Sequence, residues 1–248
     1  YGFPITASAP IQKRESGMEN SATKQFMTAV FAIVRKDLHI ERRTRQTVSI
    51  MVMFSLVTVV MFNFALETDL AAARNVSTGL LWATILLAGT LGLNRTMALE
   101  RENRTLDAIL VAPIHRTAIY VGKLISVSLF VLVLEMILVI VFIVFFNKPY
   151  YRTAVLLILM LGTIGYLAAG VLVTSMTIQT RSREVLRPVL LLPLSLPLVL
   201  PASLAGSALV FPQLPTWGEI QSAVLLVILY DLLMVTIGTI TYHYVVEF

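Results

Sequence analysis

Glu100-Arg-Glu-Asn-Arg-Thr-Leu-Asp-Ala-Ile-Leu-Val-Ala-Pro-Ile-His-Arg116 separates two long apolar runs, roughly 79–98 and 121–146. The segment is charged and amphipathic. Leu106, Ile109 and Leu110 fall at i, i+3 and i+4 on one helical face, with Glu100, Arg101, Glu102, Arg104 and Asp107 supplying charge around them. Pro113 ends the pattern, because the residue before a proline disfavours the helical region. A chain that crosses a membrane on both sides of such a segment lays a short helix on the membrane surface. A soluble partner can grip that helix.

The flanking runs are membrane spans by composition. Of 248 residues, 57% are hydrophobic and only 13% charged, about half the charged share of a soluble domain. The mean hydropathy is +0.84. Six runs approach or exceed the roughly 20 apolar residues needed to cross a bilayer as a helix: about 48–66, 79–98, 121–146, 153–178, 188–210 and 220–244. Lipid cannot satisfy open backbone groups, so the spans are helical. The expected fold is an all-α integral membrane protein. It has six transmembrane helices, an N-terminal amphipathic interfacial helix, and a cytoplasmic coupling helix between spans two and three. In the fifth span Pro188, Pro193, Pro197 and Pro201 each remove a backbone donor. They predict a kinked or partly unwound helix leading into a re-entrant turn through Pro212 and Pro215.

Sixteen of the nineteen Lys and Arg residues lie before the first span, in the second-to-third connection with its span ends (Arg95 and Lys123 among them), or between the fourth and fifth; Arg74, Lys148 and Arg152 are the exceptions. The basic side faces the cytoplasm, so both termini are expected inside. This asymmetry accounts for the net charge of +5, and a nucleic-acid role is unnecessary because the bases are sorted by side and not gathered with stacking aromatics. Residues 1–20 read as a disordered tail without the apolar core of a secretory signal, and Met18 is a candidate start of the natural chain. Residues 21–45 read as the amphipathic helix: Met27, Val30, Phe31, Val34 and Leu38 recur at helical spacing, with Arg35, Lys36, Arg42, Arg43 and Arg45 elsewhere. Residues 46–248 form the permease-like domain.

Few residues offer chemistry. There is no cysteine, which removes disulfides, thiolate metal sites and thiol nucleophiles. No Gly-x-x-x-x-Gly-Lys-Ser/Thr loop exists to cradle ATP. His39, His115 and His243 are the only histidines and read as interfacial or interhelical polar groups. Glu135 and Asp231 sit mid-span, where a carboxylate is costly and usually faces a partner inside the bundle. They are either a polar seam that moves or lines a path, or structural hydrogen bonds to Ser, Thr or Tyr. The small pairs Ala88/Gly92 and Gly165/Ala169 suit close helix crossings.

The connecting segment resembles the permeases of exporter-type ABC systems through Glu100, Glu102, Thr105, Leu106, Ile109, Leu110, Pro113, Arg116, Gly122 and Lys123, with Arg104 standing where many relatives have Gly. Within that superfamily the chain is similar to the CcmB family of cytochrome c maturation. Three stretches carry the likeness: Lys36-Asp-Leu-His-Ile-Glu-Arg-Arg43, Gly79-Leu-Leu-Trp82, and Leu190-Leu-Leu-Pro-Leu-Ser-Leu-Pro-Leu-Val-Leu-Pro201. The resemblance implies a permease subunit with no cofactor of its own, haem being handled by the complex and ATP held by a partner. It implies a CcmA-like ATPase, a CcmC-like haem-handling protein, a CcmD-like small subunit and a CcmE-like haem chaperone, and either two permease copies or one beside a different permease. The ATPase interface is expected at Glu100, Glu102, Thr105, Leu106, Ile109, Leu110, Pro113 and Arg116, with Arg35 and Arg42 beside it. The alternatives are a permease of the same superfamily for a drug, lipid or polysaccharide, a self-contained channel or ion-coupled carrier, and an intramembrane enzyme using Glu135 or Asp231.

Overall fold

The computed structural model describes residues 9–66, 70–102, 115–177 and 183–245. Among these the chain forms seven α-helices and no strand: α1 Ala9–Thr44, α2 Gln46–Ala65, α3 Leu70–Glu102, α4 Arg116–Phe146, α5 Thr153–Thr177, α6 Arg183–Val210 and α7 Trp217–Val245. Six are long and apolar enough to span a membrane: Gln46–Ala65, Asn75–Glu100, Arg116–Phe146, Thr153–Thr177, Leu186–Val210 and Trp217–Tyr242. These are the six runs of the sequence within a few residues.

α1 starts at Ala9, inside the stretch 1–20 expected as a disordered tail. Pro10 is tolerated in a first turn, and Gln12, Lys13, Arg14, Glu15 and Glu19 are good helix formers. The break between α1 and α2 is local. Arg45 takes the left-handed conformation, with φ 52°. Behind it the Glu41 carboxylate accepts the Thr47 and Val48 amides at 3.2 and 2.9 Å. An anion on the first amides of a helix satisfies donors that have no intrahelical partner and suits the helix dipole.

α3 and α5 form the buried centre of the bundle, with α2 and α7 at its margin. α2 turns inward only a stripe at i+4 spacing, Thr47, Met51, Ser55 and Val59. Glycines let the helices close: Gly92 of α3 receives Met51 of α2, Gly162 of α5 receives Trp82 of α3, and Gly238 of α7 receives Tyr120 of α4. Hydroxyls tie the helices where lipid offers no solvent. Tyr166 Oη donates to Leu86 O at 2.8 Å and lies 2.8 Å from Thr90 Oγ1, and Tyr120 Oη donates to Ala168 O at 3.1 Å.

The fifth span corrects the expectation of an unwound stretch and a re-entrant turn. α6 is an unbroken helix from Arg183 to Val210 with all four prolines inside it. Residues 211–216 then lead directly into α7, a connection too short to re-enter the bilayer and return. Pro193 and Pro197 face outward, where their rings crowd no neighbouring helix. Tyr230 Oη of α7 donates to Leu194 O at 2.8 Å among the prolines. A neighbouring helix that supplies a donor in this way keeps a proline-rich span helical. At the C-terminal end of α6 Arg152 donates to Leu209 O and Phe211 O at 2.6 and 2.7 Å, closing the last turn with a cation.

Candidate coupling site

Four charged side chains from three helices meet where α3 ends and α4 begins. Lys123 of α4 lies 2.9 Å from Glu100 of α3 and 3.2 Å from Asp37 of α1. Lys36 of α1 reaches the same Glu100 oxygen at 2.9 Å and the other Asp37 oxygen at 3.1 Å. Each ammonium therefore bridges both carboxylates. Lys123 is 2% exposed, Asp37 5% and Glu100 6%. Charges this buried are tolerated only when paired, and here the two positive and two negative groups cancel. Burial lowers the pKa of Lys36, but Glu100 and Asp37 together outweigh it and hold the ammonium above the ordinary lysine value.

Packing locks the same junction. Ile33 of α1 sits on Gly122 of α4, where an added Cβ would lie 3.0 Å from the isoleucine. Glu41 shares a small cavity with Thr96 and Glu100 of α3 and Phe130 of α4. A second polar tie holds α3 to the C-terminal half. Arg187 of α6, 5% exposed, donates to Asn94 of α3 and Thr177 of α5, both at 3.2 Å. Gly170 of α5 lies beside Leu93 and Leu191 at the same junction. Arg95 of α3 also donates to Gln46 at the start of α2. The end of α3 is thus fastened to five other helices before the charged segment begins.

Of the expected interface residues, Glu100 lies in the four-charge cluster and Arg116 opens α4. Glu102 ends α3. Thr105, Leu106, Ile109, Leu110 and Pro113 lie outside the described residues. Arg35 and Arg42 are exposed on α1. Sequence reasoning missed Lys36, Asp37 and Lys123 as a cluster, and Arg187 as a tie. The available signal was Lys123 itself, a cation inside the apolar run 121–146.

Deeper in the bundle, Glu135 of α4 accepts a hydrogen bond from Thr163 of α5. Asp231 of α7 packs against Gly165 of α5, and neither of its oxygens has a hydrogen-bond partner among the described residues. α5 is therefore met by a mid-span acid from each of two neighbouring helices, at Thr163 and at Gly165. His39 and His115 are both exposed, and His243 lies on the last turns of α7. Among the described residues no group of three His, Cys, Asp or Glu side chains converges to hold a metal ion.

Six spans and a further helix fastened beside them define a polytopic α-helical membrane protein. The sequence pattern of the family described as CcmB protein matches residues 28–243, and the chain belongs to that family. It is also similar to Heme exporter protein B of Bradyrhizobium diazoefficiens (strain JCM 10833 / BCRC 13528 / IAM 13628 / NBRC 14792 / USDA 110). The two are 29% identical over 185 residues, covering 74% of this chain and 83% of the relative.

Proposed function

We infer that this chain is the membrane permease subunit of an ABC-type complex for haem export and cytochrome c maturation. The family match carries the reading: it runs through all six spans, and the relative bears the name of a haem exporter. The chain performs no catalysis in this reading. ATP is hydrolysed by a CcmA-like partner that grips the segment from Glu100 to Arg116, with Leu106, Ile109 and Leu110 as the apolar ridge. Glu102, Thr105 and Pro113 shape that ridge. The cluster of Lys36, Asp37, Glu100 and Lys123 holds both ends of the segment, so a push on it moves α1, α3 and α4 together. Haem is cargo of the complex, handled by CcmC-like and CcmE-like proteins with a CcmD-like small subunit. One six-span chain supplies half of a permease, so the complex contains two copies, or one beside a different permease. The chain resides in the cytoplasmic membrane with both termini inside.

Purification in mild detergent tests this. The chain should bring down a nucleotide-binding subunit, and its deletion should abolish covalent haem attachment to c-type cytochromes. Purification without any ATPase from a host in which cytochromes still mature would overturn the reading.

Two further outcomes are expected. The chain lacks cysteine, so single introduced cysteines report alone. Cysteines at Asn75 and Trp217 should react with an impermeant thiol reagent from outside, and cysteines at Asn103 and Ser182 should not. Outside labelling at Asn103 would reverse the orientation. Replacing His39, His115 and His243 together should leave haem on the assembled complex, because the ligands reside on other subunits. Loss of the haem absorption band from an otherwise intact triple mutant would place a ligand here.

A further inference from the structure

α1 sorts its charges by face. Between residues 23 and 45 it has two acids, Asp37 and Glu41, and both are buried: one pairs with Lys123, the other caps α2. The cations Lys24, Arg35, Arg42, Arg43 and Arg45 are exposed, as is His39. The outward side of this stretch therefore carries cations and no carboxylate. Met27, Phe31, Arg35, His39 and Arg43 follow one another at i+4 intervals along it, all exposed. Met27 is 63% and Phe31 67% exposed. An open concavity of about 580 Å³ follows the same stripe, bordered by Phe31, Ala32, Arg35, Lys36 and His39.

The depth of this face follows from its neighbours. α4 has 31 residues, roughly 46 Å at the helical rise, against a hydrocarbon core of roughly 30 Å. Its charged end, Arg116 to Lys123, therefore overhangs into the headgroup zone. α1 packs on that overhang through Ile33 on Gly122 and Asp37 on Lys123. Arg45 adjoins Gln46, the first residue of a span. The exposed arginines thus stand at headgroup level.

We propose that the outward face of α1 is a binding surface for the anionic phospholipid headgroups of the leaflet beside it. Arg35, His39, Arg42 and Arg43 take the phosphates, and Met27 and Phe31 enter the apolar boundary. A cationic cluster immediately beside a membrane span, with no acid to oppose it, is attracted to anionic lipid within a Debye length. Exposed apolar residues on the same stripe match a surface that is charged outside and apolar beneath. The family resemblance set Arg35 and Arg42 beside an ATPase interface, against a plain membrane-surface anchor; their position beside the span and on a face without acids favours lipid.

The test uses the full chain with Ala32→Cys, labelled with a polarity-sensitive fluorophore. It is reconstituted in vesicles of phosphatidylcholine, or of phosphatidylcholine with one-third phosphatidylglycerol. Anionic vesicles should shift the emission to the blue and shield the probe from an aqueous quencher, and high salt should reverse both. Each Arg→Gln substitution among Arg35, Arg42 and Arg43 should weaken the shielded state about fivefold, while Arg35→Lys should retain it. Indifference of the probe to lipid charge would overturn the proposal. So would shielding that appears only when a purified ATPase subunit is added, which would assign the face to a protein.

Discussion

Lys123→Met is expected to destabilise the purified chain by about 3–5 kcal/mol, the cost of removing one partner from a buried charge cluster. The substitution preserves much of the side-chain volume and leaves Asp37 and Glu100 sharing Lys36 alone, in a site where both are nearly inaccessible. The same argument predicts a partial rescue. Lys123→Met with Asp37→Leu removes one charge of each sign and leaves the 2.9 Å contact of Lys36 with Glu100. The double variant should therefore be more stable than the single one, because net-neutral apolar replacement of a buried pair is often tolerated. Thermal unfolding in detergent measures both. An equal loss in the two variants would show that the site is held by packing and not by its charges.

The pH dependence has a definite sign. Lys36 gains its proton affinity on folding from Glu100 and Asp37, against the opposing effect of burial. A group with a raised folded pKa stabilises fully below its unfolded value, here the ordinary 10.5, and loses that contribution as pH rises through the folded value. Lys36 therefore gives no change in stability across neutral pH and a loss only in strongly basic solution.

The spans were readable because lipid leaves a chain little choice. Each long apolar run must be a helix, and the structure changes only the bounds, as where 48–66 becomes Gln46–Ala65. The small residues were readable for the same reason, since Gly92 marks where α2 closes on α3 and Gly165 where α7 closes on α5. The four prolines of α6 misled where they predicted unwinding, because their local effect is evaluated without neighbours, and Tyr230 from α7 is one of those neighbours. The charged cluster was hidden differently. Two of its four pairs join residues 64 and 86 apart in sequence, and the Arg187–Asn94 tie spans 93. Nothing local distinguishes these residues from topology-setting basic residues and their acidic neighbours. Lys123 was the exception, since a cation within an apolar run needs a partner.

Leu106→Asp or Leu110→Asp is expected to detach the ATPase while leaving the six-span bundle inserted. Leu106, Ile109 and Leu110 share one helical face within a charged segment. An apolar anchor seated in a partner's pocket carries a large part of an interface's energy, about 2–4 kcal/mol for a central residue. A carboxylate in its place would be buried without a partner and add its own desolvation cost. Affinity for the ATPase should fall by about 30-fold to 1,000-fold, and covalent haem attachment to cytochromes should stall. The bundle should survive because its cluster of Lys36, Asp37, Glu100 and Lys123 is untouched. Leu214→Asp is the control: Leu214 is 65% exposed in the connection between α6 and α7, on the opposite side of the membrane in the proposed topology, and the change should be mild. The two kinds of loss are separable. A Lys123 variant should lower thermal stability even without the ATPase, whereas a Leu106 variant should alter only what binds. Undiminished recovery of the ATPase with both Leu106 and Leu110 variants would remove this segment from the interface.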